Sequence, residues 1–200
     1  TTSLTALRFM PPIVLASTSP YRRELLARLR LPFEVAAPLV DETPVAGERP
    51  RVLARRLALA KAGAVARQRP EAIVIGSDQV ADLAGEPLGK PGGFAAALEQ
   101  LERMQGREVV FHTAVAVIHG AMSEVTEVPT AVAFRPLPPA RLAAYLAADT
   151  PYDCAGSARI ESLGIALLRA LRSDDPTALI GLPLIAVVAA LERCGATVPG

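Results

Sequence analysis

The sequence predicts an α/β fold: a mixed, twisted sheet with flanking helices. Three observations predict it. Short apolar runs of strand character alternate with Ala/Leu-rich stretches that read as helices. Two long strand-like runs, 109–118 and 125–134, follow each other closely and would pair as a hairpin, which makes the sheet mixed. Of the 200 residues, 51% are hydrophobic, enough to bury a sizeable core in one domain or two closely joined lobes.

The elements follow in order. Residues 1–11 read as a loose leader. Ile13 to Ala16 is a first strand, followed by the turn Ser17-Thr18-Ser19. Ser19 is a good N-cap and Pro20 suits a first helical turn, so a helix opens there with Leu25, Leu26 and Leu29 on one face. Phe33 to Ala36 is a second strand, leading to Asp41-Glu42. Residues 50–68 form a long Ala/Leu/Arg helix. Ala72 to Ile75 is a buried strand that ends at Gly76-Ser77-Asp78-Gln79. The loop Gly89-Lys90-Pro91-Gly92-Gly93 precedes a helix to about Met104, and then comes the hairpin. Pro138-Pro139 starts a helix to about Ala148. A loop over 151–164, a short strand and a last helix over 183–193 complete the chain. No repeat, low-complexity tract or Pro/Gly linker divides it.

Charge and composition exclude several functions. A formal net charge of +1 gives no broad field for nucleic acid or an anionic membrane, so any anion site is local. The longest apolar run, Leu179 to Leu191, is broken by Gly181 and Pro183 and falls short of the roughly 20 residues a membrane span needs. No secretion signal is evident. Cys154 and Cys194 have no metal-ligand spacing and suit a reducing cytoplasm. Of 21 basic residues only Lys61 and Lys90 are lysine, so both are candidates for positions that need a compact point charge.

Four segments carry potential chemistry. The turn and helix at 17–29 offer unpaired N–H groups, the Ser17 and Ser19 hydroxyls, and Arg22 and Arg23, which together suit a phosphate. The Walker A lysine and glycines are absent, so it is not a P-loop. Asp78, expected at a strand terminus, suits a metal or the acceptance of a proton from water; it could equally cap a turn. Asp41-Glu42 would hold an oxygen-loving divalent cation or form an exposed acidic turn. Lys90 sits in a rigid Gly/Pro loop, whereas Lys61 lies within a helix. His112 and His119 read as structural, and Cys154 as a buried small residue rather than a nucleophile.

Seven ordered segments resemble the Maf family of nucleotide pyrophosphatases: 15–26 (LASTSPYRRELL), 41–42 (DE), 59–62 (LAKA), 75–80 (IGSDQV), 89–91 (GKP), 152–165 (YDCAGSARIESLGI) and 179–184 (LIGLPL). The resemblance spans residues 12–195 as a single domain. It implies two lobes around a central cleft, similar to inosine triphosphate pyrophosphatases. It also implies a nucleoside triphosphate substrate, a divalent cation (Mg²⁺ or Mn²⁺), a cytoplasmic location and often a homodimer, without membrane or stable nucleic-acid partners. Carried over by motif, Asp78 is the proton acceptor, while Ser17, Arg22, Lys61 and Lys90 contact phosphate. Glu42 lies on the metal side. A metal-held water, deprotonated towards Asp78, would then attack the α-phosphorus. The role of Arg23 is left open.

Three departures bear on the base. Tyr21, Gln79 and Glu161 stand where the better known Maf pattern, whose members favour dTTP and UTP, has Arg, Thr and Gln. The set resembles the 7-methyl-GTP pyrophosphatase branch, although Trp is the more familiar residue at the Tyr21 position. N7-methylation makes guanine cationic. An aromatic ring stacks on such a base, worth roughly 0.5–2 kcal/mol, and a carboxylate accepts from its N1–H and amino groups. Gln79 adds a donor or acceptor. The alternatives are a dTTP/UTP pyrophosphatase, or a non-catalytic nucleotide-binding regulator of septum formation.

Overall fold

A computed structural model describes residues 10–199. Its seven strands are β1 (Ile13–Ala16), β2 (Phe33–Ala36), β3 (Ile73–Leu83), β4 (Glu86–Leu88), β5 (Glu108–His119), β6 (Met122–Phe134) and β7 (Leu168–Ser173). Its α-helices are α1 (Pro20–Ala27), α2 (Pro50–Ala66), α3 (Phe94–Met104), α4 (Pro139–Asp149) and α5 (Leu184–Arg193). All strands join one sheet in the order β2-β1-β3-β5-β6-β7, with β4 added to the far end of β3. The helical crossovers through α1 and α2 make β2, β1 and β3 parallel; β3, β5, β6 and β7 run antiparallel, with β5 and β6 joined as a hairpin through the tight turn at Gly120. The sheet is therefore mixed, as its sequence pattern requires.

Residues 1–9 of the expected leader, 1–11, lie outside the described residues; Met10 packs against the core, and just after the leader the Pro12 carbonyl accepts the Ile73 amide at 2.8 Å. One expectation needs correction. The third strand does not end at residue 76 but runs eleven residues to Leu83, so Asp78 is mid-strand. Pairing explains the difference: β5 follows β3 from Val74 to Asp82, whereas β1 stops opposite Gly76. On the β1 side, β3 meets β4 again only at Ala81. Asp78 thus lies where one flank of the strand is open.

The helices divide between the two faces. Val14, Val74, Ala114 and Ala116 point to α2, whose Leu53, Ala54, Leu57, Ala58, Ala62 and Val65 cover them. On the other face, β3 presents Ile73 and Ile75 to α1 and α5, and farther along Ala81 and Leu83 to α3 and α4. Between these two cores the same face of β3 carries Ser77 and Gln79, and β5 carries Thr113 between Phe111 and Val115. This polar interruption of two apolar strands is where the cores part. No helix among the described residues is long and apolar enough to cross a membrane.

Candidate active site

A cleft of about 470 Å³ opens between the two cores, within the roughly 300–1,000 Å³ typical of small-molecule sites. Ser17, Tyr21, Arg22, Glu42, Lys61, Gln79, Lys90 and Glu161 all line it. Asp78 does not: it is 6% exposed and stands behind Lys61.

Arg22, Lys61 and Lys90 give the cleft its cationic groups. At the start of α1 the Ser19 hydroxyl caps the Arg22 amide, and Ser17 Oγ accepts the Ser19 amide at 3.1 Å, which leaves the Ser17 hydroxyl hydrogen available. Arg22 Nε donates to the Gly181 carbonyl at 2.9 Å; neither Nη group has a partner among the described residues. Its guanidinium lies deep, and that desolvation lowers its pKa while the charges of Asp78 and Glu42 oppose the shift. An arginine keeps its charge through such a shift. Lys90 is exposed at the rim and pairs with no described carboxylate. Its loop is tied down by the Gly89 carbonyl, which accepts Gln100 Nε2 at 3.1 Å.

Lys61 occupies a different position from that of a free phosphate ligand. Its Nζ lies 2.7 Å from Asp78 Oδ1 and 3.0 Å from Glu42 Oε1, at 5% exposure. Paired ionic groups are the form in which charges survive burial. The adjacent carboxylates separate in role: Asp41 closes an exposed turn by accepting the Thr43 amide, and Glu42 reaches the lysine. Among the described residues no group of three or more His, Cys, Asp or Glu could hold a metal. Glu42 and Asp78 supply two carboxylates. That set suits a Mg²⁺-type cation completed by substrate phosphates and waters, and not an all-protein cage.

The cleft also carries aromatic and acidic groups. Tyr21 on α1 faces Asp153, Cys154 and Glu161. Burial raises the Tyr21 phenol, and burial pushes the Cys154 thiol up to about 12, with Asp153 adding to it, so Cys154 remains a protonated thiol. Glu161 is exposed along the cleft yet flanked by its wall. That partial desolvation raises its carboxyl above the ordinary value; Asp149 and Asp153 add to the rise while Arg159 opposes it. Gln79 is more restricted than expected. Its amide Nε2 donates to Thr113 Oγ1 (2.9 Å) and to the carbonyls of Ala178 (3.1 Å) and Leu179 (2.8 Å), so only its oxygen remains for a ligand.

The model of the family described as Maf-like protein matches residues 12–194. The chain belongs to the Maf family. Proteins named 7-methyl-GTP pyrophosphatase are similar to this Maf-family chain over most of their length. The one from Bordetella pertussis is 59% identical, covering 92% of this chain and 93% of that protein. Those from Polaromonas sp. and Paraburkholderia xenovorans are 59% and 58% identical over 92% of this chain, covering 85% and 93% of their own. Among solved structures, the Staphylococcus aureus Ham1 protein aligns over 62% of this chain and 72% of its own, with 18% identity and a TM-score of 0.46, too distant to bear on the site.

Several residues that shape the cleft have no chemical signal in the sequence. Gly76 lets α2 press onto β3: a Cβ there would sit 2.5 Å from the Ala58 carbonyl oxygen and the Ala62 amide nitrogen. That close approach brings Lys61 to Asp78. Gly181, at φ +128°, packs under Arg22, and its carbonyl also accepts Ser77 Oγ at 2.9 Å. Ser77, Gln79 and Thr113 together clamp the 178–181 turn to the sheet. The histidines lie outside the cleft. His112 sits between Glu127 (2.8 Å) and Asp82 (3.3 Å), and His119 contacts the Ala72 carbonyl.

Proposed function

We propose that this chain hydrolyses 7-methyl-GTP to 7-methyl-GMP and pyrophosphate. One observation carries the reading: a single cleft is lined by Ser17, Arg22, Lys61 and Lys90 as well as by Tyr21 and Glu161. The cationic groups suit a triphosphate. The aromatic ring and the carboxylate suit a positively charged purine. Relatives 58–59% identical that bear the name 7-methyl-GTP pyrophosphatase support the same substrate.

In the reaction, water oxygen bonds to the α-phosphorus and the α–β bridging oxygen leaves with pyrophosphate. Asp78 takes the water proton. Lys61 holds Oδ1 of that carboxylate, which orients the acceptor and leaves Oδ2 for water. Arg22 and Lys90, neither engaged by a described carboxylate, stabilise charge growing on the phosphates and the leaving group. Ser17 donates a further hydrogen bond. Glu42, with substrate phosphates and waters, would hold a Mg²⁺ or Mn²⁺ ion, which when bound supplies Lewis-acid polarisation of the phosphate oxygens. The Gln79 oxygen accepts from the base, Tyr21 stacks on it, and Glu161 pairs with its positive edge. Residues 12–195 act as one unit in this scheme, because the cleft draws on both cores.

The test is pyrophosphate release from 7-methyl-GTP, GTP, UTP and dTTP with Mg²⁺ or Mn²⁺. Preference for 7-methyl-GTP supports the assignment. Preference for UTP or dTTP keeps the chemistry and removes the base-reading roles, and release from none of them rejects the enzymatic reading.

A further inference from the structure

The wall of the cleft opposite α1 holds a polar network without a part in the scheme above. Asp149 ends α4 and is 6% exposed. A buried carboxylate at the negative end of a helix needs a cation. Arg159 supplies it: Nη2 donates to Asp149 Oδ1 at 2.9 Å and to the Asp149 carbonyl. Ser162 Oγ donates to the same Oδ1 at 2.7 Å. Burial alone would raise the Asp149 carboxyl, but the bonds from Ser162 and Arg159 more than offset it.

The backbone closes around the same arginine. The Arg159 amide donates to Tyr145 Oη at 3.0 Å, and its carbonyl accepts the amides of Ser162 (3.2 Å) and Gly164 (3.0 Å). A Cβ on Gly164 would lie 2.4 Å from that carbonyl oxygen, so only glycine permits the closure. Glu161 lies within this closed turn. The remaining guanidinium nitrogen, Nη1, crosses to the hydroxyl of Tyr21 at 3.3 Å, and that hydroxyl also donates to Asp153 Oδ1 at 3.4 Å.

The geometry of the pair is informative. A guanidinium and a carboxylate ordinarily satisfy each other fork to fork. Here Arg159 Nε and Asp149 Oδ2 are both buried without a partner. The guanidinium gives up the second bond to Asp149 and is turned so that Nη1 faces Tyr21. Buried unsatisfied groups are rare enough to call for an explanation, and anchoring Asp149 alone does not provide one.

We propose that Arg159 is a positioning residue for base recognition: anchored on Asp149, its one guanidinium fixes the Tyr21 ring from one core and the Glu161 turn from the other at a set separation. This rests on the reading of Tyr21 and Glu161 as base-contacting groups. The link spans both sides of the cleft, so the spacing that admits a flat base is set before substrate enters. Lysine in place of Arg159 would keep the charge opposite Asp149, but a single ammonium cannot serve both partners.

A double-mutant cycle tests it, with Arg159→Lys, Tyr21→Phe and the pair, using steady-state kinetics on 7-methyl-GTP and thermal melts of each protein. Each single change is expected to raise KM about three- to tenfold, the scale of one ordinary hydrogen bond. In the Tyr21→Phe background, Arg159→Lys is expected to add less than about twofold, because the bond to Tyr21 is already cut and lysine retains the charge on Asp149 that holds the Glu161 turn. Effects that multiply in the double variant overturn the inference. So does a lysine variant that melts earlier yet keeps the wild-type KM, which would mark a purely structural ion pair. If the wild type prefers another triphosphate, the substrate assignment fails separately, and the same cycle on that triphosphate decides the inference.

Discussion

Replacing Gly76 by alanine should damage the site without touching any charged group. The new Cβ would stand 2.5 Å from the Ala58 oxygen and the Ala62 nitrogen and 2.9 Å from Ala62 Cβ. These are mostly helix backbone atoms, which cannot rotate away. To restore ordinary contact, α2 must retreat from β3 by roughly 1 Å, and overpacking of that kind costs about 1–3 kcal/mol. The retreat carries Lys61 with it, one residue before Ala62, and stretches its 2.7 Å contact to Asp78. Misplacement by about an ångström commonly costs on the order of 10–100-fold in rate. Urea unfolding followed by circular dichroism, together with pyrophosphate release, reads both effects. Gly63→Ala in the same helix is the control. Its Cβ would meet only Arg67 Nη1, at 3.7 Å, so it should gain about 0.5–1 kcal/mol from helix propensity. A Gly76→Ala protein within about 0.5 kcal/mol of wild type and fully active would refute the reasoning, because a change free of strain belongs in that range.

Three further outcomes follow from the same geometry. Asp78→Asn should lower kcat by about 10²–10⁴ while the fold persists, since Lys61 keeps Glu42 as a counter-charge; a well-folded and active variant would remove Asp78 from the mechanism. Because the Glu161 carboxyl is raised, it loses its charge at higher pH than an ordinary glutamate, so kcat/KM for a cationic base should fall as pH drops through that raised value. Glu161→Gln should abolish this limb of the pH profile, and an unchanged limb would assign it to another group. His112 bears on stability. The hydrogen bond to Glu127 raises its pKa from the ordinary 6.5, against desolvation and with help from Asp82. A raised folded value gives stability that is fully present below the unfolded pKa and is lost as pH rises through the folded one. With Arg51 also paired to Glu127, His112→Gln should lower the urea midpoint more at acid pH than at alkaline pH, and an equal loss at both would show that the imidazolium contributes nothing.

The fold class was legible because alternation of apolar strands and helices is a local pattern, and the hairpin of β5 and β6 announced an antiparallel half. The length of β3 was not legible. Ser77, Asp78 and Gln79 read as a turn after a short strand, yet pairing with β5 carries the strand through them to Asp82, and pairing with β4 extends it to Leu83. The residues that line the cleft were legible as segments, since helix caps, lone lysines and acidic pairs are chemical types. Their mutual positions were not. Lys61 read as a phosphate ligand and stands between two carboxylates, and Gln79 read as a donor or acceptor and has its donors engaged.

By itself, then, the sequence determined the mixed α/β class, the segments that line the cleft, and the family to which they belong, because each depends on residue type and spacing along one stretch of chain. Only the tertiary structure decided that Asp78 lies on an open flank of a long strand, that Gly76 admits α2 closely enough for Lys61 to reach it, and that Arg159 joins Tyr21 to the Glu161 turn. Those facts depend on contacts such as that between residues 138 positions apart, and packing between distant segments leaves no periodic mark in a sequence.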